Sequence, residues 1–378
     1  MDQYPHWKAG VEHMTLPPDR RILAVSDIHG NVEFLDRLLE KAAFTPEDIL
    51  FVVGDVLEKG PRSLDTLRRL MELSRTHTVY TLRGNCDQIS LDFMDNKGWP
   101  EEMLWHVLQC WRGRGFVMQI ADEAGLPLRG PEDFPALREL IRARYAGELA
   151  FLQATPVVVE TPDYIFVHGG IPREDHLEEL DGYPLMKNDD FLGQGLSFHK
   201  WVIVGHWPVT LYHPKIPSAK PLIERERHII SIDGGNVLKA DGQLNALIIP
   251  RAGSEEFSYV AYDGLPVAVA LDDQAPSEDS INIRWGRSDL ELLESGEEFS
   301  LCRHLESGRE LYILTSYLRR DGERLWCEDS TDYRLPVLPG DRLSLVARTS
   351  RGCLMKKNGV TGWYSGRLTD TLEKQIKQ

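Results

Sequence analysis

Cysteine is scarce in this chain of 378 residues: there are five, at positions 86, 110, 302, 327 and 353. Their odd number and wide scatter supply neither a disulfide framework nor the close Cys pairs of a zinc site. Reduced, mostly buried thiols are the expectation. Long apolar runs are absent as well, and no window approaches the ~18 residues of a membrane-spanning helix. The polar, Pro-containing segment 1–20 lacks the apolar centre of a secretory signal, so a cytoplasmic protein without a membrane partner is expected. Basic excess is missing too. The 43 Lys and Arg face 59 Asp and Glu, a net charge of −16. That is the wrong sign for displacing counterions from a nucleic acid. No repeat or low-complexity tract breaks the pattern.

What is there is an ordinary globular composition, 42% hydrophobic and 27% charged, long enough for two domains. The acidic excess is uneven. Residues 281–378 carry 16 Lys and Arg against 15 Asp and Glu, net +1, which leaves 27 against 44, net −17, in residues 1–280. The composition changes at Asp272–Ser280 (DDQAPSEDS). The expected organisation is therefore a first domain over 1–272, a linker over 273–284 and a small domain over 285–378.

Within the first domain, short apolar runs alternate with amphipathic stretches. Ile22–Val25, Ile49–Val53 and Thr78–Leu82 read as strands. Phe34, Leu35, Leu38, Leu39 and Ala42 recur at helical spacing behind a candidate cap, Asn31, and Leu64, Leu67, Leu70 and Met71 recur likewise. This β-α-β-α-β order predicts an α/β layered fold with parallel strands. From about 88 to 154 the helical period returns at Leu137, Leu140, Ile141 and Tyr145, and a helical insertion is expected there. Strands resume at 157–160, 164–167, 202–204 and 229–232, and 244–249 closes the series.

Five of these strands end in a Gly-flanked ligand type: Asp27 with His29, Asp55, Asn85, His168 and His206. In open α/β sheets, sites gather beyond the carboxyl ends of strands. Two Asp, three His and one amide offer oxygen and imidazole donors without thiolate, a set that suits Mn, Fe or Zn. If one carboxylate bridges, the number suffices for two divalent or trivalent metal ions per chain, the arrangement that supports in-line attack on phosphorus.

Asp27-Ile28-His29-Gly30, Gly54-Asp55, Gly84-Asn85, His168-Gly169-Gly170 and Gly205-His206 resemble, in order and spacing, the signatures of calcineurin-like metallophosphoesterases. The likeness covers about residues 20–250. His-Gly-Gly, the single Gly-His and the insertion are most similar to the phosphoprotein phosphatase branch, which includes bacterial serine/threonine phosphatases and dinucleoside tetraphosphatases. The resemblance implies a β-sandwich flanked by helices. It implies Asp27 and His29 at a first metal, Asp55 as the bridge, and Asn85, His168 and His206 at a second. It also implies a metal-bridging hydroxide as the attacking group.

Two departures bear on the chemistry. Where that branch has Gly-Asn-His-Glu, this chain has Gly84-Asn85-Cys86-Asp87, so the imidazole implied to protonate the leaving oxygen is replaced by Cys86. Where it has Asp-Arg-Gly, this chain has Glu58-Lys59-Gly60. Glu58 then stands where the acid is oriented, and Lys59 where phosphate is gripped. A lysine acts there as a point charge without the bidentate fork of arginine. Gly-Asn-Cys-Asp is similar instead to small bacterial phosphodiesterases of the wider superfamily, although those end in Gly-His-x-His and this chain reads Gly205-His206-Trp207-Pro208. Cys86, a thiol mostly protonated at neutral pH, is a candidate proton donor, with a small buried filler as the alternative. Asp87 belongs to the same candidate catalytic group. Arg62, Arg83, Arg173 and Lys187 lie near ligand-bearing loops and are candidate phosphate contacts, with surface cations as the alternative. Asp233, in Ile232-Asp233-Gly234-Gly235, is expected to shape the pocket.

The C-terminal domain shows short strands and turns, among them Asn358-Gly359 and Gly362-Trp363-Tyr364. It is similar to bacterial Src-homology-3-like barrels. A small all-β, barrel-like module with a protein or peptide partner is the expectation. Taken together, the fold class is α/β (α+β), and the expected activity is phosphomonoester hydrolysis, with a phosphorylated protein or small phosphoester as substrate. The alternatives are a phosphodiesterase or dinucleoside polyphosphate hydrolase, and a non-catalytic metal-binding signalling module.

Overall fold

The computed structural model describes residues 6–96, 98–111 and 114–369. Two compact units divide the chain. One is built from residues up to 208, 221–238 and 244–262, the other from 209–220, 239–243 and 263 onward.

The first unit begins with β1 (Val11–His13), β2 (Ile22–Val25), α1 (Val32–Lys41), β3 (Ile49–Val53), α2 (Ser63–Thr76) and β4 (Thr78–Leu82). Five helices follow: α3 (Asn85–Asp95), α4 (Glu101–Cys110), α5 (Phe116–Ala124), α6 (Phe134–Arg144) and α7 (Ala146–Gln153). Then come β5 (Val158–Glu160), β6 (Tyr164–Val167), the short α8 (Gly182–Met186), β7 (Trp201–Val204), β8 (Leu222–Glu224), β9 (Ile229–Ser231), β10 (Leu244–Ile249) and β11 (Ser258–Tyr262). They form a five-stranded sheet, β11-β10-β2-β3-β4, and a six-stranded sheet, β1-β5-β6-β7-β9-β8. Strands β2, β3 and β4 run parallel, as do β6, β7 and β9.

The period-2 alternation of a strand decides which layer each side chain joins. Ile22, Ala24, Ile49, Phe51 and Val53 face the other sheet and pack with Val159, Phe166, Ile203 and Ile230. At the centre Phe51 stacks on Phe166, with ring centroids 3.9 Å apart. Leu23, Val25, Leu50 and Val52 face the opposite way, into a cluster completed by Leu35, Leu38, Leu67 and Leu70 of α1 and α2. These strands are apolar throughout because both faces are covered. Asn31 caps α1 by accepting from the Phe34 amide at 3.4 Å. The insertion extends the same cluster through Phe93, Phe116, Phe134 and Ile141. Buried there, the Arg138 guanidinium lies 4.9 Å over Phe93 and 5.6 Å from Phe134 and donates to the Phe93 carbonyl at 2.7 Å. The first unit is thus the helix-flanked β-sandwich that the family resemblance implied.

The second unit is all-β. Its strands are β12 (Val267–Val269), β13 (Asn282–Ile283), β14 (Leu290–Glu294), β15 (Phe299–His304), β16 (Glu310–Leu314), β17 (Leu318–Asp321), β18 (Arg324–Cys327), β19 (Ser330–Thr331), β20 (Arg342–Thr349), β21 (Gly352–Lys357) and β22 (Val360–Tyr364). The main sheets are β12-β20-β21-β22 and β14-β15-β16, each lining its own apolar cluster. Asn358 and Gly359, at φ of 49° and 77°, form the two-residue hairpin between β21 and β22 that this dipeptide favours. The stretch read from sequence as a linker is tied down within this unit: Asp272 pairs with Arg367, Gln274 bridges Val337, and β13 pairs with β19. Among the described residues no helix is long and apolar enough to cross a membrane.

Candidate metal centre

Parallel pairing brings the carboxyl ends of β2, β3 and β4 side by side, so Asp27, Asp55 and Asn85 leave the sheet in adjacent loops. Strands β6 and β7 do the same for His168 and His206. The loops are sewn together by their backbones. Asp27 N donates to Gly54 O at 3.1 Å, His29 N to Asp55 O at 2.9 Å, and Gly205 N to His168 O at 2.9 Å. Carboxylates tie them further: Asp55 Oδ1 accepts from Cys86 N at 2.9 Å, and Asp27 Oδ2 from His206 N at 3.0 Å. Asp27, His29, Asp55 and His206 hold φ of 55°, 49°, 52° and 64°, a left-handed conformation that non-glycine residues keep only where surroundings over-determine it. At Gly84 a methyl group would overlap Asp55, which is why glycine precedes Asn85.

These contacts leave donor atoms aimed inward without partners. His29 donates through Nδ1 to Leu57 O at 3.2 Å, and His168 through Nδ1 to Val53 O at 2.8 Å. This leaves Nε2 of each ring as the nitrogen that faces the centre, the placement metal-binding histidines need. Both Nε2 atoms and Asn85 Oδ1 are buried with no hydrogen-bond partner. His29 Nε2 stands 3.7 Å from Asp27 and 3.8 Å from Asp55. His168 Nε2 stands 3.3 Å from Asp55 Oδ1, without hydrogen-bond alignment. Two groups share Asp55: Asp27, Asp55 and His168 form one, and His29, Asp55 and Cys86 the other, with ligand atoms within 4.8 Å of one another in each. Orphaned polar atoms in a dry site carry a large penalty, and bound cations remove it. The residues present therefore fit bound metal ions, with Asp55 the carboxylate common to both groups.

The electrostatics agree. Asp27, Asp55, Asp87 and Asp233 are all buried. Burial, with Asp55 adding, pushes the Asp27 carboxyl up to about 6. Burial and the neighbouring Asp27 charge drive Asp233 well above the carboxylate range. Against burial, the carboxylates of Asp55 and Asp27 lift the His168 imidazolium to about 10, while burial and Lys59 lower His29 to about 3. A centre with this excess of buried anion favours cations. Lys59 supplies one from the chain itself: against burial, Cys86, Asp55 and Asp27 hold its ammonium above the usual lysine range.

The remaining candidates separate by what they touch. Asp87 accepts from Leu57 N at 3.0 Å through Oδ1 and from Gly84 N at 2.9 Å through Oδ2, so it clamps the Asp55 loop to the Asn85 turn. Cys86 is buried, and burial holds its thiol well above the usual range. Glu58 does not reach the thiol. Its carboxyl binds Ser90 and the Phe116 amide instead. Arg83 is consumed by the fold, donating to Thr155, Gln88, Gln153 O and Thr155 O. Arg62 pairs with Asp65, and Arg173 binds Asp175 O and Glu179 on the surface. Lys187 lies 3.3 Å from His206 Nε2 and pairs with Asp189.

Two residues escaped the sequence reading. Asn236 donates to the carbonyls of Asp27 and Ile28 at 3.3 and 2.9 Å and accepts from Asn31, stapling the first ligand loop from 208 residues away. Its only sequence signal is its place after Asp233-Gly234-Gly235. Asp189 Oδ1 lies 2.8 Å from His206 Nε2, and nothing in its local sequence marks it.

Residues 20–232 match the family described as calcineurin-like phosphoesterase. The symmetrical bis(5'-nucleosyl)-tetraphosphatase of Dechloromonas aromatica is 31% identical over 150 residues, 39% of this chain and 43% of that protein. Phosphodiesterase YfcE of Escherichia coli K12 is 30% identical over 131 residues, covering 32% and 64%. Serine/threonine-protein phosphatase 1 of Salmonella typhimurium is 39% identical over 74 residues, covering 19% and 32%. The chain thus spans less than two thirds of the length of each of these relatives. With a match over more than half its length, on the unit that carries this centre, the chain belongs to the calcineurin-like phosphoesterase family.

Proposed function

We propose that this chain is a phosphoester hydrolase acting on phosphomonoesters, with a phosphorylated serine or threonine of a protein as the first substrate and a small phosphoester as the next. The observation that carries the reading is the convergence of unpartnered His29 Nε2, His168 Nε2 and Asn85 Oδ1 around Asp55. Asp27 and His29 would hold one cation, Asp55 would lie between two, and Asn85, His168 and His206 would hold the other. Mn, Fe or Zn suits this donor set. Such a pair, when bound, supplies a nucleophile at neutral pH and Lewis acidity toward phosphoryl oxygens.

The chain's own groups do the rest. Lys59 offers a half-buried point charge to a phosphoryl oxygen, worth more there than in bulk water. Asp87 and Asn236 hold the ligand loops in register, so little reorganisation accompanies binding. The acidic segment 1–280, at net −17, repels long polyanions and leaves phosphate to the cation-loaded centre. The test compares a chromogenic phosphomonoester, a chromogenic diester and a phosphoserine peptide, each with Mn. Monoester turnover should exceed diester turnover, and the reverse order removes the reading.

Cys86 favours a second reading. Burial keeps its thiol a weak acid, so a leaving group that needs no protonation, such as the nucleotide of a phosphoanhydride, suits the centre better than an alkoxide. Relatives named tetraphosphatase and phosphodiesterase point the same way. Hydrolysis of diadenosine tetraphosphate faster than of the phosphopeptide would select it.

A further inference from the structure

Glu58 is fully buried, yet it touches none of the ligand side chains. Its Oε1 accepts from the Ser90 hydroxyl of α3 at 2.8 Å, and both oxygens accept from the Phe116 amide, the first residue of α5, at 3.3 and 3.2 Å. Its own amide donates to Ser63 Oγ at 3.0 Å, and that hydroxyl donates to Arg114 O at 3.0 Å. Next to it, Leu64 N donates to Gln119 Oε1 at 2.9 Å, and Gln119 Nε2 to Pro61 O at 3.0 Å. The loop 57–64 is therefore laced to the start of α5 in the helical insertion.

This lacing coincides with backbone strain. Glu58 and Lys59 both hold left-handed φ, 67° and 65°, and successive non-glycine residues there persist only where contacts on both sides prevent relaxation. One side is the Glu58 carboxyl. The other is Gly60, where a methyl group would overlap the His29 carbonyl oxygen. Between these fixed points the loop carries Lys59 beside the His29 loop, where its ammonium interacts with Cys86, Asp55 and Asp27.

We infer that Glu58 is a positioning residue that anchors the strained 58–60 loop to helices α3 and α5, so that the docked insertion holds the Lys59 ammonium on the acidic centre. The helical insertion then does more than cover the sheet, because its seating sets the cationic side of the site. The anchoring of the loop stands on these hydrogen bonds and backbone angles, and the use made of Lys59 rests on the proposed function.

The experiment reads Lys59 placement by amine-specific acetylation of the full chain, with and without Mn, quantified at Lys59 by mass spectrometry. Lys59 should be protected in the wild type and in Glu58→Gln, whose amide can still meet Ser90 and the Phe116 N–H. It should label about tenfold faster in Glu58→Ala, as local opening becomes easier. Equal labelling of wild type and Glu58→Ala overturns the inference. If Glu58→Ala does not fold, Ser90→Ala removes one anchor bond and should raise labelling about threefold, with no change as the overturning result. Titration with inorganic phosphate, on the Mn-loaded protein, separates the two ideas. Lys59→Ala should weaken binding, with Glu58→Ala adding nothing in the double variant. If Lys59→Ala leaves phosphate binding unchanged while labelling still responds to Glu58→Ala, the anchor stands and the phosphate role of Lys59 falls.

Discussion

Asp189 Oδ1 lies 2.8 Å from His206 Nε2, a carboxylate set on the outer nitrogen of an imidazole whose backbone is tied to Asp27. That contact orients the ring and leaves Nδ1 as the remaining donor, the arrangement by which outer carboxylates tune metal-binding histidines. Asp189→Asn should weaken one of two Mn ions by about tenfold or more, read by calorimetric titration. Unchanged affinity for both ions would remove Asp189 from the centre.

Asp55 is common to both ligand groups, so its loss should be felt at both. Asp55→Asn should lower turnover of any accepted ester by about a thousandfold, equivalent to several kcal/mol of lost stabilisation. Removal of metal by a chelator should do the same to the wild type, and re-addition of Mn should restore only the latter.

Cys86 separates the proton-donor role from simple filling. With the thiol held protonated by burial, Cys86→Ala should change turnover of an aryl phosphate by less than about threefold, well below the ~100-fold that general acid catalysis contributes at minimum. A loss of that larger size on an alkyl phosphate, with the aryl ester spared, would assign the proton to the thiol.

Glu58 makes stability depend on pH in a stated direction. Burial raises its carboxyl to about 8 from an ordinary 4.5, so the folded state holds a proton that the unfolded state has released between those values. Stability contributed by the neutral carboxyl is complete below about 4.5 and is lost as pH rises toward 8, by up to about 1.4 kcal/mol per unit. Glu58→Gln, which cannot ionise, should show a flatter profile of denaturation midpoint over that window. A parallel profile would contradict the burial effect.

Arg83 and Lys59 should respond in opposite ways to alanine. Arg83 satisfies buried acceptors of the Leu152–Thr155 turn and Gln88, so Arg83→Ala should cost about 1–3 kcal/mol of stability and leave KM unchanged. Lys59→Ala should raise KM or lower kcat with little effect on Tm.

The candidate donors could be named from the chain because each follows closely on a short strand, and strands and Gly turns are written in neighbouring residues. Parallel pairing of β2, β3 and β4 then gathers them with no further instruction, since alternation buries both faces and sets the register. The side chains that hold these loops in place were not readable. Glu58 takes partners 32 and 58 residues away, Asn236 reaches back 208, and Asp189 meets His206 across a loop. Neither the carboxylate of Glu58 nor the guanidinium of Arg83 announces its partner in local sequence. The sequence by itself determined where candidate oxygen and imidazole donors stand, at strand ends within an acidic stretch of chain. The tertiary structure alone decided which charged side chains face that centre and which are spent holding it together, because hydrogen-bond partners of buried groups are chosen by packing at long range and not by neighbours in the chain.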